Sequence, residues 1–235
     1  AAAAGAAACV AVSADLAARF ATVAGLPRDR VQEVRNGVDL DRFQPGDQAA
    51  ARRALGLPLA ARLLLGVGRL VPGKGFALCA EALAALPADV HLVLVGDGPE
   101  RARIQQCAGT RVHLLGNRPP DEVAMAMRAA DLLVLPTASE GWPNVVTEAL
   151  ASGLRVLATG VGGIPQILDL PEGEDLRRGL LLGSRDGAGV AAGVQRLLQV
   201  PADPGYVRRY AERFGWQQPI EQLARIFARA SGEAA

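Results

Sequence analysis

The sequence predicts an α/β fold built on a doubly wound parallel sheet. Short apolar runs recur at a regular beat, segments with apolar spacing near 3.6 residues separate them, and the first runs end in glycine turns. Strand, helix, strand repeated this often places helices on both faces of a parallel sheet. The composition suits that architecture: half of the 235 residues are apolar and 21% are charged, enough for a buried core and too hydrophobic for a disordered chain. Aromatic residues make up only 4%, so Ala, Leu and Val supply the apolar mass and let helices pack closely on the sheet.

In chain order, residues 9–12 read as a strand and 15–24 as a helix capped by Ser13. A strong turn signal, Asn36-Gly37-Val38-Asp39, follows. About forty residues cannot form an independent core, so residues 1–43 are read as the tail of a preceding domain and its linker. Residues 44–201 form the large domain. Its expected strands are 63–67, 91–95, 112–115, 132–135, 155–158 and 180–182, and its expected helices are 76–86, 99–107, 120–130 and 143–152. Glycines at 66, 68, 96, 98 and 116 close the first three strands, where binding loops sit and a ligand can approach the backbone. In residues 202–235, Val207, Tyr210, Ala211 and Phe214, then Ile220, Leu223, Ala224 and Phe227, recur at i, i+3, i+4 and i+7. They mark two closing amphipathic helices, each with a stripe to bury.

Several functions are disfavoured at once. With 25 basic and 24 acidic residues, the net charge of +1 gives no electrostatic reason to expect nucleic acid. Cys9, Cys79 and Cys107 are far apart, odd in number and without ligand spacing, which suits a reduced compartment. No uncharged apolar stretch is long enough to span a membrane. The opening Ala-rich run lacks a basic leader segment and is read as a cut point or processed end.

Gly68-Arg69-Leu70-Val71-Pro72-Gly73-Lys74-Gly75 fits the first seven positions of a phosphate-binding P-loop, but Gly75 lacks the hydroxyl that holds magnesium and Pro72 removes a backbone donor. Arg69 and Lys74 nevertheless bracket a loop after a strand, where they either hold a diphosphate or stand as solvated charges. In Glu140-Gly141-Trp142-Pro143-Asn144-Val145-Val146-Thr147-Glu148, Pro143 fits a first helical position, with Asn144 and Val145 in the first turn and Glu148 in the second. The first turn can receive an anion, and Glu140 and Glu148 would flank it, each able to accept from paired sugar hydroxyls. Otherwise Glu140 is a loop acid favouring the helix N-terminus and Glu148 an exposed helix charge. Trp142 is either a stacking surface for a sugar or a loop aromatic packed on the domain. Asp39-Leu40-Asp41 has the DxD form of metal-dependent sugar transferases, yet its place after a turn favours a turn-capping role. Val71 stands where a dinucleotide fingerprint needs its last glycine. His91 and His113 read as structural or edge histidines, and Ser139 lacks a nucleophile-elbow context.

The joint order of these segments, continued by Ala151-Ser152-Gly153 and Thr159-Gly160-Val161-Gly162-Gly163-Ile164-Pro165, resembles the C-terminal half of family 4 glycosyltransferases, the retaining GT-B enzymes with a Glu-x7-Glu signature. The resemblance runs from about Cys9 to the end. It implies a Rossmann-like GT-B donor domain with a remnant of the N-terminal domain and C-terminal helices crossing back to it. By likeness, Arg69 and Lys74 hold the diphosphate of a nucleotide-sugar donor, with Gly68 and the backbone at Asn144 and Val145 completing the grip. Glu148 would bind the ribose, Glu140 the transferred sugar together with the Gly141-Trp142-Pro143 segment, and Gly116-Asn117-Arg118 the nucleobase. The resemblance implies no cofactor and no metal, a glycan, lipid or small-molecule acceptor, a cytoplasmic location extending to the inner face of the membrane, and an acceptor domain or partner beyond this segment. Gln166 departs from the Glu usual after Gly-Gly-Ile-Pro.

Overall fold

The computed structural model describes residues 5–170 and 175–231. The outermost residues of the opening Ala-rich run and of the closing segment lie outside them. The chain begins with β1 (Cys9–Ala11), α1 (Ala14–Ala24) and β2 (Val31–Glu33), the two strands pairing in parallel. The Ser13 side chain caps α1 by accepting from the Leu16 N–H. This unit buries Ala11, Ala17, Ala21 and Val31 in a small cluster of its own. Val38 and Phe43 already belong to the main core.

That core surrounds six parallel strands, β3 (Arg62–Val67), β4 (Val90–Val95), β5 (Val112–Gly116), β6 (Leu132–Leu135), β7 (Val156–Ala158) and β8 (Gly179–Leu181), in the order β5-β4-β3-β6-β7-β8. Leu63, Leu64 and Leu65, their β4 neighbours Leu92 and Leu94, and Leu132 to Leu135 are buried whichever way they point, as a sheet covered on both faces requires. The helices are α2 (Gln48–Ala54), α3 (Phe76–Ala82), α4 (Arg101–Ala108), α5 (Pro120–Ala129), α6 (Asn144–Ala151), α7 (Ile164–Leu168), α8 (Gly187–Leu198), α9 (Pro204–Ala211) and α10 (Gln217–Ser231). Helix α3 packs against α4 and α8, while α2 packs against α5 and α6 against α9. These pairings make the two layers that right-handed crossovers produce when the strand order reverses at β3.

One buried polar device ties the layers to the sheet. Arg52 of α2 donates to the carbonyls of Ala129, Leu59 and Ala61 and to Asp131, which also accepts from the Gln48 amide and from the Leu63 N–H at the start of β3. Each nitrogen of this buried guanidinium donates to an acceptor, which is the condition for burying it at all.

The expected strands and helices are present with ends shifted by one or two residues, except that the helix expected over 76–86 ends at Ala82 and its last turn, Leu83–Ala85, tightens into a 3-10 helix. Pro143 occupies the N-cap of α6 instead of its first helical position. Sequence periodicity did not mark β2, α2, α7 or α8. At the C-terminus, Val207, Ala211 and Phe214 bury their stripe, whereas Ile220 and Phe227 of α10 stay exposed. Helix α10 runs beside β2, where Gln222, Arg225 and Ile226 line a small cavity with Gln32, Glu33 and Val34. No described helix is long and apolar enough to cross a membrane.

Candidate functional site

Parallel strands put all their carboxyl ends on one edge, and the order reverses between β3 and β6, so the loops leaving these strands diverge around a crevice. The loop after β3 carries Arg69 and Lys74; the loop after β6 carries Glu140. Across that crevice the Lys74 ammonium donates to Glu140 Oε1 at 2.5 Å. Both side chains are largely withdrawn from water, Glu140 at 11% and Lys74 at 29% exposure. Residues 66 positions apart in sequence thus form a charge pair at the switch point. Arg69, five residues before Lys74 in the same loop, is exposed and without an ion-pair partner among the described residues.

Glu140 is held by a backbone mould. Gly162, at φ +57, lies so close that a Cβ there would be 1.9 Å from the Glu140 carbonyl, and the Gly163 N–H donates to the Gly141 carbonyl. Only glycine fits that approach. The chain then enters α6, whose Asn144 and Val145 N–H groups have no intrahelical carbonyl and face anions favourably, while the Val146 N–H donates to the Pro143 carbonyl. The Asn144 side chain accepts from Asn36 Nδ2 at 3.1 Å, which joins this helix start to the Asn36-Gly37 turn.

Glu148 lies in the next turn of α6, half-buried. Burial pushes its carboxyl up to about 7, opposed by the Arg42 guanidinium. Arg42 is itself fixed between Asp39 and Asp121 at 2.9 and 2.8 Å. Glu148 is therefore not a fully solvated helix charge. Near neutral pH it divides between a carboxyl that donates one hydrogen bond and a carboxylate that accepts several.

Packing settles the roles of several further side chains. Trp142 is buried at 6% exposure, its indole edge-on to Phe214 and under the Arg35 guanidinium. Its ring packs on the domain, and a sugar-stacking role for that side chain is corrected, because the face a sugar would need is covered. Asp39 accepts from the Asp41 and Arg42 N–H groups, so the Asp39-Leu40-Asp41 segment is a capped turn. His91 and His113 pair with each other, Nδ1 to Nε2 at 3.0 Å, near the amino ends of β4 and β5, at the edge opposite the crevice. The glycines after β4 also serve a purpose other than ligand approach: a Cβ on Gly96 would be 2.0 Å from the Gly68 carbonyl, so they let one loop stack on another.

Gly116, Asn117 and Arg118 lie at the carboxyl end of β5, the sheet's outer strand. Arg118 spans its own loop there, donating to the Leu115 carbonyl and to Glu122. Gln166 donates to Glu33 at 2.6 Å and accepts from the Ala14 N–H, so it joins α7 to the amino-terminal unit. A glutamate there would face another carboxylate. Sequence reasoning did not find Arg185, which touches both crevice loops; no spacing signal links the turn after β8 to loops two and three strands away.

A family model described as glycosyl transferases group 1 matches residues 61–200. The D-inositol 3-phosphate glycosyltransferase of Mycobacterium tuberculosis is 34% identical over 93% of this chain and 48% of its own length. The chain thus spans about half the length of the curated relatives it matches. Among solved structures, sucrose-phosphate synthase from Thermosynechococcus elongatus superposes with a TM-score of 0.79 at 26% identity, covering 96% of this chain and 58% of that one. Anabaena HepE in complex with UDP and glucose gives a TM-score of 0.81 at 24% identity over 93% of this chain and 62% of that one, a likeness of fold.

Proposed function

Because this chain belongs to the group 1 glycosyl transferases, we propose that its crevice is the donor half of a retaining transferase that moves a sugar from a nucleotide diphosphate to a glycan, lipid or small-molecule acceptor. The observation that carries this reading is the Lys74–Glu140 pair at the switch point, directly before a helix start with Glu148 one turn on. A diphosphate entering the crevice competes for the Lys74 ammonium, with Arg69 and the α6 amides as its other partners. Released from Lys74, the Glu140 carboxylate accepts from hydroxyls of the transferred sugar. Glu148, in its ionised form, accepts from the ribose hydroxyls, and the base lies at Gly116, Asn117 and Arg118.

The two cations stabilise the charge that develops on the departing diphosphate, so the reading requires neither a metal nor a cofactor. Departure leaves an oxocarbenium-like sugar, and the leaving phosphate oxygen takes the acceptor's proton on the face it vacated, which retains configuration. The reaction belongs to the cytoplasm, at the inner face of the membrane when the acceptor is lipid-linked. Exposed Leu16, Phe20 and Val23 on α1 and Ile220 and Phe227 on α10 favour a second reading. In it the chain binds donor but transfers only with an acceptor-binding domain or partner against these helices.

Calorimetric titration with UDP, GDP and ADP tests the donor site. At least one should bind in the micromolar to millimolar range, and Lys74→Ala or Arg69→Ala should weaken it severalfold. Equal binding by wild type and Lys74→Ala would refute the reading. Product formed by this chain alone would remove the second reading.

A further inference from the structure

We propose that Arg185 is a positioning residue that locks the two crevice loops into one rigid unit, an inference that rests on the donor-site reading. Arg185 follows β8, and its side chain reaches back over β7 to the loops after β6 and β3. Its Nε donates to the Pro136 carbonyl at 2.8 Å, and its Nη2 donates to the carbonyls of Pro72 at 2.9 Å and Gly73 at 3.2 Å. Pro72 and Gly73 immediately precede Lys74; Pro136 opens the loop that ends in Glu140.

The chemistry explains why an arginine stands there. Pro72 and Pro136 have no N–H, so at these positions the two loops cannot pair through their own backbones. The planar guanidinium supplies the missing donors in a fixed fork, and one side chain reaches acceptors on both loops, which a lysine's single ammonium does poorly. Direct ties complete the join: the Ala138 N–H donates to the Gly73 carbonyl at 2.7 Å, and Thr137 Oγ1 to the same carbonyl at 3.3 Å. Arg185 touches only backbone in this network, so it acts through the placement of Lys74 and Glu140 instead of touching the ligand.

The test uses the full chain carrying Arg185→Gln or Arg185→Lys. Amide exchange at Ala138 reads the join, thermal unfolding reads the whole fold, and calorimetry uses whichever of UDP, GDP or ADP the wild type binds. Arg185→Gln should shift Tm by no more than about 4 °C, speed exchange at Ala138 about tenfold and weaken nucleotide binding about fivefold. Arg185→Lys, which keeps the charge and loses the fork, should restore neither exchange nor affinity. Wild-type exchange and affinity in Arg185→Gln, or full rescue by Arg185→Lys, would overturn the positioning role. In either case Lys74→Ala would still lose nucleotide, leaving the donor-site reading intact. Absence of nucleotide binding by the wild type would overturn that reading and this proposal with it.

Discussion

Replacing Glu148 with Gln should stabilise the fold at alkaline pH while weakening nucleotide binding. Burial raises the Glu148 carboxyl from 4.5 to about 7. A carboxyl that binds protons more tightly when folded makes stability fall as pH climbs from 4.5 to about 7, and the loss is complete above that window. At about 1.4 kcal/mol for each tenfold change in proton affinity, the full loss is about 3 kcal/mol by pH 8. By pH 5 it is still under about 1 kcal/mol. Gln keeps the shape and cannot ionise, so Glu148→Gln should gain about 2 to 3 kcal/mol over wild type at pH 8 and little at pH 5. Urea unfolding of both proteins at the two pH values, with unchanged m, measures this. Gains that agree within about 0.5 kcal/mol at both pH values would refute the argument, because they would show that Glu148 meets the same environment folded and unfolded. The same ionisation sets nucleotide affinity. Wild-type binding should tighten from pH 6 to pH 8 as the ribose-binding carboxylate forms, and Glu148→Gln should be weaker and lose that pH dependence.

Other substitutions probe the supports of the site. Gly162→Ala drives a Cβ against the Glu140 carbonyl at positive φ and should cost about 3 kcal/mol. Gly56→Ala, at φ +65 in open space, should cost about 1 kcal/mol; thermal unfolding of the pair separates clash from backbone strain. Gln166→Glu sets a carboxylate against Glu33 and loses the amide donor. It should destabilise by about 1 to 2 kcal/mol at pH 8, as followed by urea unfolding. Arg52→Met removes the donor from three backbone carbonyls and leaves the Asp131 carboxylate without its cation and should cost about 3 to 5 kcal/mol. Arg62→Ala removes only an exposed pair with Asp89 and should cost under about 1 kcal/mol in the same unfolding assay.

The sequence by itself determined the α/β class, the six central strands and most helices between them. Both kinds of signal are local: a strand covered on two faces must be apolar throughout, and a packed helix must repeat near 3.6 residues. Helix α8 escaped because three glycines interrupt its pattern. One of them, Gly193, leaves room for the Leu157 side chain, a reason visible only after packing. Strand β2 escaped because three residues carry no period, and its partner β1 is a helix away.

Arg69, Lys74, Glu140 and Glu148 stood out as residue types in suggestive loops, yet each could equally be a solvated charge while its neighbours were unknown. Tertiary structure decided what sequence spacing cannot encode. The reversal of strand order at β3 brings Lys74 to Glu140, and burial raises the Glu148 carboxyl. Trp142 turns inward against Phe214, and Arg185 reaches across the sheet to both crevice loops. Local pattern fixes which way a side chain faces its own element. Distances between loops far apart in sequence follow from strand order and packing, and these set the electrostatics on which the proposed chemistry depends.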